Sequence, residues 1–389
     1  MPKDKKQKNI PEGWREVRLG DIVNIYDGTH QTPQYVEKGI PFYSVEHISS
    51  NNFLDTKFIS EDIYQREIKK VKIEKDDILM TRIGDVGTAK YINWDVKASF
   101  YVTLALIKNK SKDLNMKFLA SLINSREFRG EVWKKTIHVA FPNKINLGDI
   151  SKCKAAFPPL SEQKRIVGVL EVWDGYLEKL GKKIEIKKNI KKGLMQNLLT
   201  GKIRLKGFNE KWEIVKLGEV CEIGTGEKNN QDKIENGRYP FFVRSQNIER
   251  IDTYSYDGEA ILLPGEGNIG KIFHYINGKF DYHQRVYKVS NFSKKVFGKY
   301  IYYYFTQNFL KQTTSHSVKA TVDSLRLPTF KKFKILLPNI DEQKIIAKIL
   351  TTADEEIENL EKKKKIIEEQ RKYLLNSLIT GKIRVPINN

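Results

Sequence analysis

Two stretches of the chain carry the same pattern of apolar and polar positions. In residues 158–204 apolar side chains recur at alternating steps of four and three: Ile166, Leu170, Trp173, Leu177, Leu180, Ile184. In residues 337–384 the run is Ile346, Leu350, Ala353, Ile357, Leu360. That spacing is the apolar seam of a coiled coil. Glu162-Gln163-Lys164 recurs as Glu342-Gln343-Lys344, and Gly201-Lys202-Ile203-Arg204 as Gly381-Lys382-Ile383-Arg384, both at one offset (342 − 162 = 180) with no gap. Past Leu360 the seams diverge: Ile184 aligns with Lys364, and Lys187 with Ile367. Each stretch predicts one long helix, with Ser161 or Asp341 as N-cap and Gly201 or Gly381 at the stop. Roughly 39 residues at about 1.5 Å each give a rod of about 58 Å. A Lys-rich helix of that length needs a partner for its seam, and the two copies serve each other.

The repeat extends outside the helices. Trp14-Arg15-Glu16-Val17-Arg18-Leu19-Gly20-Asp21 answers Trp212-Glu213-Ile214-Val215-Lys216-Leu217-Gly218-Glu219 at an offset of 212 − 14 = 198. The first globular part is therefore longer by 198 − 180 = 18 residues. The order is domain (1–157), helix (158–204), domain (205–336), helix (337–389). Within the domains, strand-like runs are expected at 40–45, 77–81, 101–107, 239–243, 260–263 and 285–289. One helix is expected in each, at 117–134 and 294–313. The aromatic run Tyr302-Tyr303-Tyr304-Phe305 falls on the second and reads as core packing. The fold class is α+β: two globular parts joined by two long helices in an antiparallel coiled coil, with an approximate two-fold internal repeat. Antiparallel pairing follows from connectivity, because the link of about ten residues to the second domain reaches about 35 Å at most, less than the rod. The chain's start then supplies the Trp-containing piece that the second helix would otherwise run into, so the two termini should meet.

Charge narrows the class of partner. Among 389 residues, 69 Lys and Arg oppose 48 Asp and Glu, a net charge of +21. A polyanion is implied, with nucleic acid first. No apolar run is long enough for a membrane span, and the first residues lack the apolar segment of a signal peptide. Cys153 and Cys221 have no metal spacing, which suits a reducing cytoplasm.

The signatures Pro158-Pro159-Leu160-Ser161-Glu162-Gln163-Lys164 and Leu198-Leu199-Thr200-Gly201-Lys202-Ile203-Arg204, in the order domain–helix–domain–helix, resemble the specificity subunit of Type I restriction–modification enzymes. The likeness covers nearly the whole chain. Asp27-Gly28-Thr29-His30-Gln31-Thr32-Pro33 is similar to the opening of one class of target-recognition domain, and Tyr239-Pro240-Phe241-Phe242-Val243-Arg244-Ser245-Gln246 to another. The resemblance implies a protein that is not itself an enzyme. Each domain would read half of a split double-stranded DNA target. The helices would set the spacing and dock two methyltransferase subunits, with restriction–translocase subunits joining them. S-adenosylmethionine and ATP would belong to those partners, and this chain would hold no cofactor or metal.

The remaining motifs agree. Gly265-Glu266-Gly267-Asn268-Ile269-Gly270 spells a dinucleotide fingerprint, but that turn must open a helix, and residues 271–275 look like a strand. A hairpin loop that approaches DNA is the better reading. No stretch for base methylation, Walker loop or zinc-hydrolase motif is present. Candidates for DNA readout are polar side chains near loops, mixed with Lys and Arg for phosphates. In the first domain they are Thr29, His30, Gln31, Arg82, Lys90, His138, Asn143 and Lys144. In the second they are Lys228, Arg244, Gln246, Asn268, Lys271, His283, Gln284, Arg285 and Lys319. The helix-pairing set is Ile166, Leu170, Trp173, Leu177, Leu180, Ile184, Ile346, Leu350, Ile357, Leu360 and Ile367. The competing reading is a coiled-coil scaffold that binds nucleic acid or protein without sequence preference.

Overall fold

The computed structural model describes residues 10–139, 141–314 and 325–385. Contacts divide the chain into two compact units, Met1–Lys179 with Lys364–Asn389, and Leu180–Lys363. The long helices are Leu160–Leu198 and Ile340–Ile379, of 39 and 40 residues, and each gives one half to each unit.

Both helices start two residues earlier than the expected caps imply, so Ser161 and Asp341 are inside them. The carbonyl of Pro159 accepts the N–H groups of Glu162 and Gln163, and the Asn339 side-chain oxygen accepts the N–H of Glu342 at 2.9 Å. Gly201 and Gly381 stand at the stops with φ of +69° and +68°, a conformation in which other residues are strained.

Within the first unit the two helical halves are joined by Arg371, whose guanidinium donates to both oxygens of Asp174 at 2.6 and 2.8 Å. Ile166 and Leu170 are buried there, and Trp173, Leu177 and Ile367 are half-buried. Within the second unit Lys187 meets Glu356 at 2.7 Å, Lys188 meets Glu361 at 2.8 Å, and Lys191 meets Asp354. Leu180, Ile184, Ile346, Leu350 and Ile357 are buried, and Leu360 is half-buried. Lys187, where the seam loses an apolar residue, spends its charge on that ion pair.

The signatures that recur in both halves of the repeat are structural latches. In the first unit Glu162, 4% exposed, accepts the indole N–H of Trp14 at 3.1 Å and a bidentate pair from Arg384 at 2.7 and 2.9 Å. In the second unit Glu342, 1% exposed, accepts from Trp212 at 2.9 Å and from Arg204 at 3.0 and 2.9 Å. A buried carboxylate needs such partners. Gln163 and Gln343 satisfy the next turn: each donates to a proline carbonyl, Pro158 or Pro338, and accepts a backbone N–H from Asn115 or Phe297. The first and last described segments meet within the first unit: Arg384 also donates to the Glu12 carbonyl at 3.1 Å. In the second unit the same joint is made by continuous chain, 204–212.

The globular parts mix helix and sheet. The second has one six-stranded sheet in the order Glu222–Thr225, Val286–Ser290, Tyr256–Pro264, His274–Tyr282, Tyr239–Phe242, Glu249–Ile251. The first has two four-stranded sheets. One runs Val23–Asp27, Leu104–Asn109, Ile78–Thr81, Ala89–Tyr91; the other Tyr35–Val36, Lys57–Ile59, Ile40–Tyr43, Ser99–Phe100. In each unit a two-stranded ribbon pairs the Trp segment with the strand that leads into the long helix, Arg15–Arg18 with Lys154–Phe157 and Glu213–Lys216 with Lys334–Leu337.

Several expected boundaries shift. The run 40–45 is strand only over Ile40–Tyr43; Val45–Ser50 is a helix, because Ser44 and His47 form its cap. The run 101–107 is strand from Leu104. The helix expected at 117–134 is two, Met116–Ile123 and Arg126–Lys135, since the Ser125 hydroxyl accepts the Phe128 N–H and starts a new one. The second-domain helix is Gly298–Thr314; Tyr303, Tyr304 and Phe305 are buried in its core, as the packing reading requires.

Candidate nucleic-acid interface

In each unit a set of loops is tied together by backbone hydrogen bonds. In the first, the Tyr101 N–H donates to Tyr43, Val102 to Thr29, Arg82 to Thr103, and Ile145 to Arg82, at 2.9, 3.0, 2.9 and 2.9 Å. In the second, His283 donates to Phe242, Gln284 to Lys228, Gly265 to Arg285, and Leu325 to Gly265, at 2.9, 2.8, 2.8 and 2.8 Å. The bonds match one for one. The parallel bridges Thr29–Tyr101 and Lys228–His283 also match. Two glycines make the close approach. A Cβ on Gly28 would lie 2.1 Å from the Phe100 carbonyl oxygen, and one on Gly226 1.9 Å from that of Tyr282. On this shared frame equivalent positions carry Thr29 or Lys228, Arg82 or Gly265, Tyr101 or His283, Val102 or Gln284, Thr103 or Arg285.

In the first unit the frame gathers Thr29, His30, Gln31, Arg82, Asn143 and Lys144. His30 is exposed, with Nε2 2.6 Å from Asp27. Lys70 meets the other oxygen of the same carboxylate at 2.6 Å. Burial pushes the Asp27 pKa up, but Lys70 and His30 outweigh it and hold the carboxyl below its ordinary range. Arg82 is buried: Nε donates to the Ile145 carbonyl at 3.2 Å and a terminal nitrogen to that of Val102 at 3.1 Å. Burial lowers its pKa. Its guanidinium thus braces the frame from inside. Lys144 pairs through its backbone with Ile137, and the Asn143 carbonyl accepts the Gly84 N–H at 2.8 Å. His138 is exposed, its Nε2 3.0 Å from the Trp133 carbonyl oxygen. Lys90 stands on the strand Ala89–Tyr91, its ammonium on Asn51 at 2.6 Å and over Phe53 and Trp94.

In the second unit the frame gathers Lys228, His283, Gln284 and Arg285, and Arg244 and Asn268 line an open concavity of about 420 Å³ with Asn230, Lys233, Glu249 and Glu266. Gln284 donates to Asn229 at 2.6 Å. Glu266 lies 2.5 Å from Arg285 and 3.8 Å from Arg244. His283 is 5% exposed and its Nδ1 accepts the Arg285 N–H at 2.9 Å. Burial, then the charges of Arg244 and Arg285, push its pKa down. Gln246 and Lys271 are exposed on adjoining loops. Lys319 lies outside the described residues.

The glycine-rich stretch 265–270 joins Tyr256–Pro264 to His274–Tyr282, which pair antiparallel. It is a hairpin loop that opens no helix, so the dinucleotide geometry is not there. Among the described residues no group of three His, Cys, Asp or Glu is placed to hold a metal, and no helix is long and apolar enough to cross a membrane. The Cys153 and Cys221 thiols are pushed by burial up to about 12. What remains is two loop clusters of matched frame and unlike, cation-rich surface.

Comparison with known families decides the class. The model of the Type I restriction modification DNA specificity domain matches residues 11–188 and again 209–369. The chain belongs to that family. It is therefore a Type I specificity subunit, a sequence-specific DNA-recognition protein without catalysis of its own. The MjaVIII specificity subunit of Methanocaldococcus jannaschii is 26% identical over 414 residues, covering 97% of this chain and 94% of that one. The EcoDI specificity subunit of Escherichia coli is 28% identical over 176 residues, 44% of this chain and 38% of that one. The solved S subunit from M. genitalium shares the fold, with a TM-score of 0.60 at 15% identity over 96% of this chain and 98% of that one.

The sequence missed Tyr101, Asp27, Lys70 and Glu266 as parts of these sites. Asp27 and Glu266 are carboxylates that hold the cations rather than reach DNA, so a pattern of cations and amides does not single them out. The alignment of Tyr101 with His283 follows only from the frame, because the two repeats differ in loop length between their shared landmarks.

Proposed function

We propose that this specificity subunit reads a bipartite duplex, one half-site through each globular part, 1–157 and 205–336. The observation that carries the reading is the matched backbone frame with unlike side chains. A common frame gives both parts the same approach to DNA, while the differing side chains give each its own base preference. Thr29, His30, Gln31, His138, Asn143 and Lys144 are the contact set of the first, with Lys90 at its margin. Lys228, Arg244, Gln246, Asn268, Lys271, Gln284, Arg285 and Lys319 are that of the second. Arg82 and His283 serve the same sites from beneath, as braces.

The long helices act as an antiparallel coiled coil about an approximate two-fold axis, and their length sets the gap between half-sites. Two methyltransferase subunits dock on this body, restriction–translocase subunits join them, and S-adenosylmethionine and ATP are bound by those partners. The assembly works in the cytoplasm. Selection from a library of random duplexes by the full chain with its methyltransferase subunits tests this directly. A split motif with a fixed gap supports it. Recovery of duplexes without any motif would favour the scaffold without sequence preference.

A further inference from the structure

We infer that Glu266 is a positioning residue for specificity in the second globular part: one carboxylate holds Arg285 and Arg244, withholding them from phosphate and aiming them at base edges. This rests on the reading that the second part reads a half-site. Arg285 is fixed at three points. Its N–H donates to His283 Nδ1 at 2.9 Å, its carbonyl accepts the Gly265 N–H at 2.8 Å, and its guanidinium meets Glu266, the residue after Gly265, at 2.5 Å. The carboxylate and the guanidinium thus spring from the two sides of one frame bond. Arg244, which lines the concavity together with Glu266, comes within 3.8 Å of the same Glu266 oxygen.

Chemistry supplies the discrimination. A guanidinium has five N–H donors, so one held by a carboxylate keeps others free. Guanine presents neutral acceptors, N7 and O6, that a free edge can take in a bidentate pair. A phosphate is anionic and must either displace Glu266 or sit beside it against repulsion. The three side chains are 38 to 51% exposed, so the ion pairs are weak and the arginines stay accessible. They restrain direction rather than remove the groups from DNA. The first globular part repeats the device with other residues: Asp27 holds His30 and Lys70, each at 2.6 Å.

The test uses the full chain with its methyltransferase subunits, as wild type, Glu266→Gln and Glu266→Asp. Each is put through selection from random duplexes and a salt titration on one non-target duplex. Glu266→Gln should bind the non-target duplex more tightly, with a log–log salt slope steeper by about 1 for each arginine released to a phosphate. Its preference at one or two positions of the second half-site should fall about tenfold. The first half-site is the internal control and should keep its preference. Glu266→Asp should restore part of the loss. Unchanged preference and slope in Glu266→Gln would overturn the inference, as would an equal loss at both half-sites. A wild type that selects no split motif would instead remove the reading on which the inference rests.

Discussion

The two globular parts share a frame but build it from different amounts of chain. Around the frame the offset between them falls from 242 − 43 = 199, at Tyr43 and Phe242, to 261 − 78 = 183, at Ile78 and Ile261. Most of the 18 extra residues of the first part therefore lie between Tyr43 and Ile78, where it carries the helices Val45–Ser50 and Glu61–Glu67. The sheets record the consequence. Tyr91-Ile92-Asn93 and Tyr275-Ile276-Asn277 are the same tripeptide, followed by Trp94 in one part and Gly278 in the other. Gly278 lies opposite Gly258 in a strand pair that reaches Phe280, on a strand that continues to Tyr282. Trp94 instead meets Phe53 edge-on, ring centroids 5.2 Å apart, and the strand ends at Tyr91 to resume at Ser99. Length and sheet geometry thus vary freely between the parts, while the loop-tying bonds do not. That is the pattern expected where backbone presents and side chains read.

The largest effect should come from the latches. Replacing Glu342 by Ala leaves the Trp212 indole N–H and Arg204 without their acceptor, at a cost of about 3 kcal/mol. Glu162→Ala should cost less, because Arg384 is more exposed than Arg204 (44% against 29%). Hydrogen exchange resolved by unit would show loosening in the unit that carries the change; equal losses would break the comparison.

Next come the frame glycines. Gly226→Ala places a Cβ 1.9 Å from a carbonyl oxygen, so the frame must shift, with a penalty of about 1–3 kcal/mol. Selection from random duplexes should lose the second half-site and keep the first. Gly28→Ala should do the reverse.

A smaller effect separates the equivalent positions Thr29 and Lys228. Lys228→Ala should flatten the salt slope of binding by about 0.9. Thr29→Ala should leave the slope alone and alter base preference. Equal slopes in the two variants would mean that the matched positions do not differ in role.

The smallest concerns pH. Burial holds the pKa of both His274 and His283 below the ordinary value of 6.5. The unfolded chain then binds protons that the folded unit refuses, so stability rises with pH. It should be constant above about 7 and fall as pH drops below about 6.5. Unfolding of the second unit at pH 5.5 and 7.5, with His283→Asn as the reference, checks the sign; the variant should show a weaker dependence.

The long helices, their register and the internal repeat were legible because a seam and a signature repeat without gaps. The latch residues were visible as motifs, but their purpose was not: Trp14, Glu162 and Arg384 are 148 and 222 residues apart. The helix starts moved by two residues because Asn339 caps the second helix in place of Asp341, and the Pro159 carbonyl takes the first N–H groups of the other. The break at Ser125 was hidden inside an apolar-periodic stretch. The loop frame left almost no trace, since backbone bonds between loops demand no side chain. Gly28 and Gly226 were its signal, and Glu266 lay unremarked inside the glycine-rich loop.

The central claim is that each frame reads its own half-site. Exchange residues 223–328 for the corresponding segment of a relative with another specificity, assemble the full complex, and map methylation across a genome. The account predicts a new second half-site beside the old first one, with the gap unchanged. A change in both halves at once would contradict it.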